Sequence, residues 1–253
     1  MRDFEDSTLW RVSAFERVRN ETGESGFARL EGPTLLPSTL MADLDRLESE
    51  QQGDDVLEVV ASCVRHRESA LLYVQHEGLV WPVTVFALQM IYHCPRDMSQ
   101  ASLNGMPQVR LLGVEPPGVR PPGHWMFERV AHSEHYRPLA PLLWRLALHG
   151  PRHTLLGEIG GTAAYRASRN PASDGLIAPG ALGSAVERLR RESVSLREIA
   201  SWPGVSVERG SRLLNGLYLI GALLITRSHP AARTEPGLAR RLLGLGKGRR
   251  ERS

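Results

Sequence analysis

Lysine is almost missing from this chain: of its 31 basic residues only Lys247 is a lysine, and the other 30 are arginines. Lys247 sits in a Gly/Arg-rich tail, where no packed pocket is expected to hold it. Chemistry that needs a buried amine, whether a Schiff base, a pyridoxal phosphate anchor, a P-loop lysine or a kinase strand lysine, has no residue to use. Cysteine is scarce as well, with Cys63 and Cys94 the only two, too few for a disulfide framework. No long hydrophobic run is present. The longest, Leu213 to Ile225, is interrupted by Asn215 and falls short of the roughly 18 to 20 residues that span a bilayer. Met1 is followed by Arg2, Asp3, Glu5 and Asp6 rather than by an apolar leader, so the expectation is a cytoplasmic chain in a reducing compartment with no transmembrane segment. G-x-S-x-G, H-E-x-x-H, P-loop and G-x-G-x-x-G motifs are lacking, and GEIGG at 157–161 has the wrong spacing for a dinucleotide turn.

What remains is globular. Hydrophobic residues make up 42% and charged residues 23% of 253 positions, enough for two ordinary domains with their own cores. Charge is polarised along the chain: residues 1–60, 61–180 and 181–253 carry −8, +3 and +8. A basic C-terminal third suits nucleic acid or an acidic surface, and the acidic N-terminal third suits covering it in cis; both are equally compatible with solvated faces.

Periodicity orders the elements. Phe4, Leu9, Val12, Phe15 and Val18 suggest a short amphipathic helix ahead of the linker NETGESGFARLEGP. Residues 38–50 and 54–67 read as helices, the second burying Val56, Val59, Val60, Cys63 and Val64. The period then falls from 3.6 to 2: SALLYVQ, LVWPVTVF, MIYHC, VRLLGVEPP and HWMFERVA predict about five mainly antiparallel strands. Pro82 has no N–H for a ladder, which predicts an edge or a bulge. Leu139 to His149 reads as a helix stopped by Gly150-Pro151, and 153–168 as a short helix, a glycine turn and a strand. The aperiodic SRNPASDGLIAPG marks a domain boundary near 170–180. The expected class is α+β: a loose N-terminal helix and linker over 1–35, an α/β domain over 36–170, a small winged-helix-like helical domain over 178–235, and a basic flexible tail over 236–253.

The C-terminal module has the clearest local grammar. A helix runs from Ala181 to about Glu192. Ser195 and Glu198 form a capping box for the next helix, and Val194 can staple to Ile199. Trp202-Pro203-Gly204 ends it, Ser206 caps a longer helix, and Gly221 closes that one before a strand at Ala222–Thr226. This is a helix-turn-helix. In a DNA-binding version the second helix would offer Arg209 and Arg212 to bases or phosphates, with Arg197 and Arg227 flanking. Its long apolar face, including Leu213, Leu217, Tyr218 and Leu223, suits a protein partner or a second copy instead.

SALLYVQHEGLVWPVTVF and SLREIASWPGVSVERGSRLLNGLYLIGALL resemble bacterial signalling modules of the PATAN type, in which a small α/β region precedes a segment resembling a winged helix. The resemblance implies a non-enzymatic regulatory or adaptor protein and transfers no binding residue. Metal is not expected: Cys63 and His66 sit towards a helix end, while His93 and Cys94 follow a strand. His132 and His135 read as surface residues. Asp43 and Asp45 diverge around a helix, and Asp54-Asp55 reads as a helix start, so no carboxylate pair for acid–base work is expected. Neither is a cofactor. The tail's Leu238, Leu242 and Leu245 among its arginines could make weak contact with an anionic surface. The leading expectation is thus a regulator or adaptor acting through protein contact, the alternative a DNA-binding transcriptional regulator.

Overall fold

A computed structural model describes residues 9–23, 35–125, 133–229 and 231. The chain is a mixed α+β protein with antiparallel sheets. Its larger sheet grows from a hairpin of β2 (Ser69–His76) and β3 (Leu79–Phe86), joined at Glu77-Gly78, both at positive φ. That turn matches the right-handed twist of the strands, and glycine adopts it without a Cβ clash. β5 (Arg110–Glu115) pairs with β2 and carries one extra residue, Leu112, in a bulge opposite Tyr73 and Val74. On the other side β4 (Ile91–His93) pairs with β3, and β6 (Tyr136–Pro138) with β4.

A sixth strand, β1 (Trp10–Arg11), pairs with Leu79 and Val80 of β3. Pro82 therefore lies in an interior strand, not at an edge, and β3 pairs with β2 in unbroken register. On the opposite side β1 covers β3 only as far as Val80 and β4 begins at Thr84. The residue without an N–H falls in the gap between them. Of the expected strand HWMFERVA, residues 126–131 lie outside the described residues, and His124-Trp125 are in a turn. The strand beside β4 is Tyr136–Pro138 instead.

Both faces of this sheet are covered. α1 (Val12–Thr22) begins later than the sequence suggests because Trp10-Arg11 extends along β3. It lays Phe15 on Leu71, Tyr73 and Val80, and its Arg19 donates to the Leu112 carbonyl at 2.7 Å. The opposite face holds α2 (Ser38–Ser49), α3 (Val56–His66) and α4 (Leu139–His149), close to the predicted bounds. Asp55 caps α3 by accepting from the amides of Leu57 and Glu58.

A smaller sheet lies in the C-terminal half, in the order β8 (Val194–Ser195), β7 (Ala164–Ala167), β9 (Leu223–Thr226). Packed with it are α5 (Ala181–Leu189), α6 (Leu196–Ile199) and α7 (Val207–Leu219). Residues 153–163 form turns and no helix. The cut expected at 170–180 passes between β7 and both strands it bonds to. SRNPASDGLIAPG is an ordered connection: Asn170 caps a short turn, Leu176 is buried, and Trp144 Nε1 donates to the Ile177 carbonyl at 3.0 Å. One hydrophobic cluster runs through both halves, from Leu9 to Ala222. Among the described residues no helix is long and apolar enough to cross a membrane.

Candidate functional site

The helix-turn-helix forms with the local devices its sequence encodes. Ser195 Oγ accepts from the Glu198 amide, Val194 and Ile199 are both buried, Ser206 Oγ accepts from the Arg209 amide, and Gly221 takes φ +69°. Gly210 lets α7 approach α6, since a Cβ there would stand 3.0 Å from Leu196 and 3.2 Å from Ile199. Gly216 does the same for α4, where a Cβ would lie 2.9 Å from the Trp144 ring.

That second contact sets α4 against the face expected to meet a partner. Leu213, Leu214 and Leu217 are 0% exposed, and Tyr218 and Leu223 are half-buried. α4, some 70 residues upstream, already lies against this helix, so its apolar face is spent on the chain's own core. Leu224 is the leucine of the run that remains open, at 53%.

The four arginines offered as nucleic-acid contacts separate. Arg212 is mostly buried and donates to the Leu148 carbonyl at the end of α4 at 2.8 Å, while also meeting Glu208 at 3.2 Å. Arg227 donates to the carbonyls of Gly160 and Glu158 at 3.0 and 3.1 Å. Both fasten the fold. Arg209 reaches back to the Gly204 carbonyl at 2.5 Å, and Arg197 is exposed on α6. Arg212 is therefore not free beside Arg209, as the DNA alternative expects.

The densest polar constellation was not legible in the sequence. It surrounds the turn segment 151–160, which joins the two halves. Arg152, with 8% of its side chain exposed, meets Asp55 at 2.6 Å and Glu58 at 2.7 Å and also donates to the Leu155 carbonyl. Glu58 in turn accepts from the Gly157 amide at 2.9 Å. Burial pushes its carboxyl above the ordinary range, against the pull of that amide and of Arg152. Glu158 accepts from Arg65 of α3 and from the Tyr218 hydroxyl of α7, and Arg65 also binds Asp43 of α2. Burial and the bond to Glu158 both drive the Tyr218 phenol upward. Asn215 completes the set by donating to the Thr154 carbonyl and accepting from the Leu156 amide. This clasp ties α2 and α3 to α7. Its charged groups satisfy one another, as buried ions must.

Asn215 alone carried a signal: a polar residue inside an apolar helical run needs buried partners. Arg152 and Glu158 sit in an aperiodic turn, where no spacing marks them. Cys63 and Cys94 are buried thiols, each pushed up to about 12 by desolvation. His93 and His135 pack ring to edge at 5.6 Å, and His132 lies outside the described residues. Among the described residues no three His, Cys, Asp or Glu side chains gather in a way that could hold a metal ion. Searches of family models, curated proteins and solved structures find no match to this chain.

Proposed function

We propose that the chain is a non-enzymatic bacterial regulatory or adaptor protein whose C-terminal unit is a winged-helix-like module working through protein contact. Helix, short strand, helix, helix and strand follow one another from α5 to β9, which is winged-helix order. The central strand, usually returned by the wing, is supplied from upstream by β7. The observation that carries the preference for protein over DNA is the enclosure of α7. With Leu213, Leu214 and Leu217 at 0% exposure and Arg212 bonded to α4, α7 offers solvent chiefly Val207, 58% exposed, and Glu208 in its first turn, and an exposed valine and carboxylate suit a protein surface better than a phosphate backbone. Support for a non-enzymatic role comes from the clasp, whose carboxylates are occupied by arginines, amides and the Tyr218 hydroxyl of the fold itself. The resemblance to PATAN-type modules is part of the same proposal.

The test is a paired measurement on the full chain. Affinity capture from the source cells is expected to recover one protein partner, or a second copy of the chain, in stoichiometric amount. Binding to a duplex of about 25 base pairs at physiological salt is expected to stay in the non-specific range of about 10⁻⁴ to 10⁻⁶ M. Sequence-specific DNA binding at about 10⁻⁸ M or tighter, abolished by Arg197→Ala with Arg209→Ala, would replace this reading with a transcriptional regulator.

A further inference from the structure

α5 turns Ser184, Glu187 and Arg188 outward. Ser184, Glu187 and Arg188 of the helix, with Arg191 and Glu192 just past its end, line a shallow depression of about 670 Å³. Arg190 and Arg197 are exposed nearby in the chain, and Arg166 of β7 donates to the Arg190 carbonyl at 3.4 Å, which places it at the same end of the helix. Several of these groups are held in place. Arg188 stacks over Trp202 at 4.5 Å and pairs with Glu192. Glu187 accepts from Asn170 at 2.7 Å and from Arg190 at 3.0 Å. Arg166, Arg191 and Arg197 have no carboxylate partner among the described residues.

A second hollow adjoins the first through Glu187. It is about 220 Å³, and its apolar wall comes from Pro171, Leu176, Ile177, Ala178 and Val186. Ile177 stands at its lip, 77% exposed, on a backbone pinned by Trp144. An exposed isoleucine on a fixed backbone beside an apolar hollow is the form of an anchor site, and the arginine side supplies charge selectivity.

We infer that α5 and the 171–178 turn form a two-part docking groove for an acidic amphipathic protein segment, with an apolar side chain in the Ile177 hollow and carboxylates on Arg188 and Arg191. This rests on the protein-contact reading and names the partner's chemistry. A protein segment fits better than nucleic acid because Glu187 and Glu192 line the same groove. A phosphate backbone would meet them with unbroken negative charge, whereas a peptide can set neutral residues against them.

The probe is a fluorescein-labelled 16-residue peptide with leucines in one helical turn and glutamates in the next two, titrated with the full chain. Saturable binding at 50 mM salt is expected, at least tenfold weaker at 300 mM. Arg191→Glu should weaken it tenfold or more and Arg191→Lys much less. Ile177→Ser should weaken it about fivefold, as should replacing the leucines by serine. Circular dichroism melts of these variants should match the parent, because the Arg191 and Ile177 side chains are exposed. Absence of saturable binding, indifference to Arg191→Glu, or equal binding of a glutamine-for-glutamate peptide would each overturn the groove. A 20-base-pair duplex that displaces the peptide and itself depends on Arg191 would overturn it in favour of nucleic acid and remove the adaptor reading as well. A stoichiometric protein partner captured by a chain that ignores the peptide would leave that reading standing and sink the groove alone.

Discussion

Gly216 shows how one residue sets the distance between two helices. Alanine is worth up to about 1 kcal/mol more than glycine inside a helix. Here its Cβ would lie 2.9 and 3.0 Å from two ring carbons of Trp144, a ring whose Nε1 is committed to Ile177. Overpacking at such a site costs about 1–3 kcal/mol. Gly216→Ala is therefore expected to lower the unfolding free energy by a net of about 1 kcal/mol, read as a lower urea midpoint with an unchanged denaturant slope; a raised midpoint would mean the ring moves freely. Arg152 is the second decisive residue. Arg152→Ala strands Asp55 and Glu58 beside the core, and breaking a buried pair in this way costs about 3–5 kcal/mol. Adding Glu58→Gln to that variant should recover part of the loss, read from the same denaturation curves.

Between elements, the clasp and the loop after β4 make acid the natural stress on this fold. Burial alone would raise Asp43, yet hydrogen bonds from Arg65 and His66 outweigh it and hold the carboxyl below its ordinary value near 3.8. Asp97, which accepts from Ser99 and Tyr92 and faces Arg137, is lowered against burial in the same way. A carboxylate depressed in the folded state contributes stability that is present above its unfolded pKa and is lost as pH falls through the folded one. Thermal midpoints are expected to drop once pH falls below about 4. Asp43→Asn with Asp97→Asn should start lower at neutral pH and lose less on acidification. A parallel acid limb in the variant would show that other carboxylates control it.

On the scale of the whole molecule, the continuous core and the position of β7 join what the sequence divides. A fragment covering 178–253 retains α5, α6, α7, β8 and β9 but lacks the strand that both β8 and β9 bond to, along with the α4 surface that covers α7. It is expected to be unfolded by circular dichroism and amide proton dispersion. The full chain should unfold in one transition by fluorescence and by circular dichroism. A stably folded fragment would restore the boundary that the Pro/Gly-rich stretch suggests.

Local order was readable because its causes are local. The caps at Asp55, Ser195 and Ser206, the Gly221 stop, the Glu77-Gly78 hairpin and the bounds of α4 each depend on hydrogen bonds and periodicity within a few residues. The scarcity of lysine, with Lys247 alone among 31 basic residues, is likewise read directly from the sequence. Tertiary structure alone decided what those elements are for. An amphipathic pattern states that a face will be buried, but not against what, so Leu213 and Leu217 look the same in sequence whether a partner or α4 covers them. An arginine's charge is likewise silent on its acceptor, and only the fold turned Arg212 inward onto the Leu148 carbonyl and laid the exposed Arg227 on the carbonyls of Glu158 and Gly160, while giving Arg191 and Arg197 no carboxylate among the described residues. Contacts across 60 or more residues follow from how the whole core closes, and no short window of sequence contains them.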